Sequence, residues 1–296
     1  MNIRSAWKLL LCLCFTVLIA SGCALMENGT RLVDKHVEDA CWSRDGSTLI
    51  YYKGEDRDLH FYNTKTRKRS VLQFSASTVG GFDLSPDGNS IVTKNYNNRI
   101  HIIDINTAKA RKICTLEHDA ERIFWLTPDQ LTYTRSTYSE DSITLDLYSL
   151  NLTSKKRTKI REHAYQRIRS NDSPTFIYQR NYRYFLYNLA SRKVKELKTN
   201  TLTEYKYSME FLYLSEKQAI YSAWKAGADA PVQYFLLDLA TMKEKQIQLP
   251  VFANSMGISP DLTKYWYTGP ENQDTVPVKL YLVDIPQETV RQLKGK

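Results

Sequence analysis

The side chains able to do chemistry are spread thinly along this 296-residue chain. Its five histidines stand at 36, 60, 101, 118 and 163, and no Cys/His cluster suggests a metal site. His60 and His101 hold the same place in two similar segments, "LHFYN" and "IHIID". They are read as a repeated structural position rather than a ligand pair. The carboxylates Asp45, Asp87, Asp129 and Asp261 recur in short turn-forming stretches. An Asp there caps backbone N–H groups, and this role is favoured over a ring of metal sites. The sequence has no Gly-x-Ser-x-Gly elbow, no His-Glu-x-x-His, no phosphate-binding loop and no dinucleotide fingerprint. No catalytic residue, metal or cofactor is expected, and the chain reads as a non-enzyme.

The elements that would position any site are repetitive. Ser43-Arg44-Asp45-Gly46 precedes "STLIYY", Ser85-Pro86-Asp87-Gly88 precedes "NSIVTK", Thr127-Pro128-Asp129 precedes "QLTYTR", and Ser259-Pro260-Asp261 precedes "LTKYWY". Weaker copies begin at Ser170 and Ser215. The turn markers fall at 43, 85, 127, 170, 215 and 259, a period of about 44 residues. A second marker keeps the same count: an apolar strand closed by Asn63, Asp104, Asn151, Asn188, Asp238 or Asp284. A basic strand follows each, "KRSVL", "ARKI", "KRTKI", "KVKEL", "KEKQIQL" and "VRQL". With 42% hydrophobic residues, 25% charged residues and 20 tyrosines, the body is expected to be a folded all-β structure. Six units of four short strands predict a six-bladed β-propeller.

The pattern "WSRDGSTLIYY…DLHFYNTKT", repeated as "DLSPDGNSIV…RIHIIDINTAKARKI", resembles the TolB-like family of propeller repeats. The resemblance spans residues 40 to 293 and implies the fold; it says little about function. TolB itself carries a further N-terminal domain, so its role in the Tol system does not carry over. WD-repeat markers, Gly-His and Trp-Asp, are missing. The loops between second and third strands are longest in blades three, five and six: "STYSEDS", "KAGADAP" and "GPENQDTVP". Long loops on a rigid scaffold are where binding concentrates. The candidate binding residues are therefore Tyr138, Glu140, Asp141, Trp224, Lys225, Asp229, Glu271 and Asp274. The dense basic run "KKRTKIREHAYQRIR", 155 to 169, is read as the solvated outer strand and loop of blade three, and "YQRNYRYFLY", 178 to 187, as two packed strands.

The first residues, "MNIRSAWKLLLCLCFTVLIASGC", pair Arg4 and Lys8 with an apolar run from Leu9 to Ala20. At about twelve residues that run is short for a bilayer-spanning helix and suits a secretory leader. Ala20-Ser21-Gly22-Cys23 resembles the lipobox of bacterial lipoproteins, with Ala20 where that family usually has Leu. The resemblance implies cleavage before Cys23 and acylation of its thiol. The absence of Asp at position 24 implies the outer membrane, with the body facing the periplasm. The expected layout is a leader at 1–22, a lipidated N-terminus and tether at 23–37, and a propeller at 38–296. Cys41 and Cys114 are left as either a disulfide or two buried thiols.

Loss of the leader leaves 39 basic against 32 acidic residues, about +7. Export makes nucleic acid an unsuitable partner. Anionic lipid, lipopolysaccharide phosphates and cell-wall polymers suit the charge, as does simple protection of exposed strand edges by Lys and Arg. The expected partners are the membrane, through the lipid, and an envelope protein or polymer. The expected function is a binding or scaffolding lipoprotein. The alternative is a propeller hydrolase or lyase acting on envelope or imported carbohydrate.

Overall fold

A computed structural model of the chain describes residues 30–294, apart from 55, 57, 74–80, 96, 117–119, 139–142, 171, 206–208, 225–231, 250–254 and 270–277. Cys23, the leader and the loop residues Glu140, Asp141, Lys225, Asp229, Glu271 and Asp274 lie outside the described residues.

The described strands form six four-stranded antiparallel sheets. Blade one is β2 (Val37–Trp42), β3 (Thr48–Lys53), β4 (Leu59–Asn63) and β5 (Arg69–Leu72). Blade two is β6 (Phe82–Leu84), β7 (Ser90–Lys94), β8 (Arg99–Asp104) and β9 (Ala110–Thr115). Blade three is β10 (Ala120–Thr127), β11 (Gln130–Tyr138), β12 (Ile143–Asn151) and β13 (Arg157–Arg161). Blade four is β14 (Ala164–Arg169), β15 (Thr175–Arg180), β16 (Arg183–Asn188) and β17 (Val194–Leu197). Blade five is β18 (Met209–Leu214), β19 (Gln218–Ala223), β20 (Gln233–Asp238) and β21 (Glu244–Ile247). Blade six is β22 (Ser255–Ile258), β23 (Lys264–Gly269), β24 (Lys279–Asp284) and, as its outer strand, β1 (Arg31–Lys35). Each first strand touches the first strands of the blades on either side, so the six inner strands close a ring. Helix α1 (Asn200–Glu204) links blades four and five, and α2 (Gln287–Leu293) follows β24.

The turns named by the sequence are built from local hydrogen bonds. Ser43 Oγ donates to Asp45 Oδ1 at 2.6 Å and accepts Thr48 N–H at 2.9 Å. Ser85, Asp87 and Ser90 repeat the arrangement, as do Ser259, Asp261 and Lys264. The serine and backbone donors hold Asp45 and Asp87 below the usual carboxylate range. The second marker works the same way. Asn63 Oδ1 accepts the N–H groups of Lys65 and Thr66, and Asn151 those of Thr153 and Ser154. Four residues after each marker the chain turns through positive φ at Arg67, Ala108, Lys155, Arg192 and Met242. Non-glycine residues enter that region rarely; here the capped turn fixes it five times.

Blade six departs from the pattern. Pro286 stands two residues after Asp284, where the other turns need an N–H, and proline has none. The chain instead starts α2 directly after Pro286, which stands at the N-cap without a side-chain capping bond. "VRQL", expected as the fourth strand, is the end of this helix, whose Val290 and Leu293 are buried. The vacant edge of β24 is taken by β1, whose Arg31, Leu32, Asp34 and Lys35 pair with Leu282, Tyr281, Leu280 and Lys279. The stretch expected as a tether at 23–37 thus contributes the closing strand of blade six from residue 31.

Candidate functional site

Two faces follow from the strand order. The first-to-second and third-to-fourth turns lie on one, the turn face. The second-to-third loops and the connections between blades lie on the other, the linker face. Each inner strand runs from the linker face to the turn face. Between them lies a central cavity of about 710 Å³.

Its turn-side floor is an ion pair. Asp83 is two residues before Ser85 on β6, and Arg169 is one residue before Ser170 on β14. The guanidinium is bidentate: Nε donates to Asp83 Oδ2 at 2.7 Å and Nη2 to Oδ1 at 2.8 Å. Oδ2 also accepts the Trp125 N–H of β10 at 2.7 Å, and Arg169 Nη2 donates to Leu84 O at 3.1 Å. One carboxylate therefore joins blades two, three and four. The side chains are 13% and 9% exposed for Arg169 and Asp83 respectively. Burial works against the charge on Arg169, but the Asp83 carboxylate outweighs it and raises the guanidinium pKa above its ordinary value. Cys41 adjoins the pair. Burial, then the charges of Asp83 and Asp39, push its thiol well up, so it stays protonated and is a poor nucleophile. Cys41 and Cys114 are both free thiols.

The linker-side mouth holds Glu38, Asp39, Lys94, Tyr165, Arg167 and Glu210. Register shifts in the inner strands place residues Glu38 and Arg167 at bulges, which re-aim side chains. Arg167 lies 5.5 Å from the Tyr165 ring centre and donates to Met209 O of blade five at 2.9 Å. This mixed-charge mouth suits a polar partner group of either sign.

Gly257 on β22 allows a close approach in the cavity wall. A Cβ there would lie 2.5 Å from Trp266 Nε1, while Trp42 Nε1 donates to Gly257 O at 3.0 Å. Gly257→Ala is expected to displace the Trp266 indole and to cost about 1–3 kcal/mol through overpacking. The urea midpoint and the tryptophan emission spectrum check this.

Among the described residues, the linker face carries three exposed aromatics at the second-to-third strand junctions of successive blades. Tyr138 ends β11 and is 61% exposed, Tyr182 joins β15 to β16 and is 56% exposed, and Trp224 follows β19 and is 36% exposed. Tyr138 and Trp224 were expected in this role. Tyr182 was not, because loop length pointed away from blade four, whose junction is short. The basic run 155–169 is split: Arg157–Arg161 is the outer strand of blade three as expected, but Ala164–Arg169 is the inner strand of blade four. Its residues Tyr165, Arg167 and Arg169 line the cavity rather than a solvated loop. The run 178–187 does span two packed strands. His60 stacks on Tyr51 and meets Asp56 at 2.9 Å. Among the described residues no three of His, Cys, Asp and Glu stand together as metal ligands, nor is any helix long and apolar enough to cross a membrane.

No protein-family model matches the chain, and no curated protein matches it. Solved propellers do. An oligogalacturonate lyase in complex with manganese aligns at 12% identity and a TM-score of 0.60, over 88% of this chain and 94% of that one. TolB from Acinetobacter baumannii aligns at 12% identity and 0.55, over 90% of this chain and 68% of that one. An acylaminoacyl peptidase from Pyrococcus horikoshii aligns at 12% identity and 0.54, over 84% of this chain and 44% of that one. Identities this low establish a shared propeller fold, including a TolB-like one, and leave function open between the binding and enzymatic readings.

Proposed function

We propose that this chain is a cell-envelope lipoprotein, anchored through Cys23 in the outer membrane, whose propeller binds a protein or polymer partner on its linker face without catalysing a reaction. The observation that carries the binding surface is the run of Tyr138, Tyr182 and Trp224 along blades three, four and five, each exposed on that face. Large amphipathic rings held by rigid strands contribute much contact area at little entropic cost and dominate interfaces. The candidate residues Glu140, Asp141, Lys225, Asp229, Glu271 and Asp274 lie in sequence between the second and third strands of blades three, five and six, outside the described residues.

A photo-crosslinking residue placed in cells at Tyr138, Tyr182 or Trp224 tests this. All three sites are expected to give the same adduct, and Thr153, exposed on the turn face, none. Adducts from Thr153 alone, or equally from both faces, would rule this surface out.

The second reading, a lyase or hydrolase on envelope or imported carbohydrate, draws on the central cavity. Tyr165, Arg167 and Lys94 at its mouth are residue types that hold acidic sugars and relay protons. It requires that oligouronides be turned over and that Arg167→Gln abolish the turnover. Binding without turnover favours the first reading.

A further inference from the structure

The closing strand shows where the chain comes from. β1 is antiparallel to β24, so it begins at the turn face, where Arg31 pairs with Asp284 at 2.6 Å. Arg31 lies eight positions after Cys23, a reach of at most about 28 Å. The chain therefore leads toward any lipid on Cys23 from the turn face of blade six, at its outer edge.

The surface beside that point is basic. β1 packs on blade one, where Val33 is buried with Leu49, Tyr51 and Tyr62. Arg69 of β5 donates to Val33 O and pairs with Asp34 at 3.6 Å. The turn leading to Arg69 carries Lys65, Arg67 and Lys68, all exposed, and it contains no carboxylate. The equivalent turn of blade two, on the same face, carries exposed Lys109 and Arg111, and Asp104 of that turn is held by Thr107. The carboxylates that adjoin it are occupied. Asp34 is held by Tyr51, Lys53 and Arg69, and Asp284 by Arg31. Asp45 and Asp87 are turned onto the hydroxyl and N–H groups of their own turns. Leu32 on β1 and Val71 on β5 are both about half exposed, at 47% and 50%, and flank the basic turn.

We propose that this edge, Lys65, Arg67 and Lys68 with Lys109 and Arg111, is a docking surface for anionic phospholipid headgroups. It would act as a second membrane signal beside the acyl chains. The proposal rests on the anchor reading above, and it orients the protein: turn face to the bilayer, linker face toward the periplasm. A basic patch close to a lipidated residue is the combination that fixes a peripheral protein to one surface.

The test is a lysine-acetylation footprint of the lipoprotein on vesicles of phosphatidylcholine, with and without phosphatidylglycerol. On the anionic vesicles Lys65, Lys68 and Lys109 are expected to react about fivefold more slowly, the factor matching the attraction of one basic residue to such a surface. Lys198 on the linker face should be unchanged, and added salt should abolish the difference. Lys65→Glu with Lys68→Glu should remove the protection of Lys109 while the circular dichroism stays that of the wild type. Equal rates on both vesicles, or protection of Lys198 instead, would overturn the proposal. The mass of the N-terminal peptide separates the two claims. If Cys23 bears no lipid, the anchor reading fails. The patch is then judged by the same footprint with the unlipidated chain added to anionic vesicles at low salt, where unprotected Lys65 and Lys68 would sink it too.

Discussion

Arg169→Met is expected to lower the unfolding free energy by about 3–5 kcal/mol, the loss found when one member of a buried ion pair is removed and the other is left behind. Asp83 would keep the Trp125 N–H as its hydrogen-bond donor and the Arg44 charge beside it, on a floor where its side chain is 9% exposed. The double variant Asp83→Asn with Arg169→Met should recover more than half of that loss. It keeps an acceptor for Trp125 and leaves no buried carboxylate without its guanidinium. Urea unfolding followed by tryptophan fluorescence gives both numbers. A single-variant effect under about 1 kcal/mol would show that the pair does not hold the floor.

Removing residues 30–35 should have an effect as large or larger. It deletes four ladder partners of β24, uncovers the site filled by Val33, and strips Asp34 from Tyr51 and Lys53. Burying one valine contributes about 1.5–3 kcal/mol, and each hydrogen bond a net of about 0.5–1.5 kcal/mol. With four ladder bonds and the Tyr51–Asp34 bond counted, the sum is about 4–10 kcal/mol, and the variant also bares the edge of β24, so it is expected to aggregate. The expected readout is a lower, broader unfolding transition, with oligomers visible by size-exclusion chromatography. A truncated chain that stays monomeric with unchanged stability would show that the ring closes without β1.

The repeat was legible because its turns are local. A Ser and an Asp two residues apart bond to each other wherever they fall between strands, so Ser43, Ser85 and Ser259 mark their turns directly. Pro286 was equally visible, but its meaning was missed: the alternating "VRQL" looked like its five counterparts, and a proline that deletes a turn donor outweighs that pattern. The floor of the cavity could not be read at all. Asp83 and Arg169 stand 86 residues apart, in strands whose neighbours carry other residues at those positions, and only ring closure brings them together. For the same reason the basic run at 155–169 looked uniform, although the chain passes at Ala164 from the rim of one blade to the axis of the next. On the linker face, loop length picked out Tyr138 and Trp224. Tyr182 projects from a tight turn that length alone would pass over.

The closing strand also sets an order of events. Arg31 and Asp284 are 253 positions apart, so the first strand to be synthesised waits for the last before it can pair. Contacts of such separation form slowly, and until they form both edges stay open to other chains. Folding of this propeller should therefore end with a late, rate-limiting step in which blade six zips shut. Every earlier blade can assemble before it, and a circularly permuted chain that places β1 after α2 would shorten that wait.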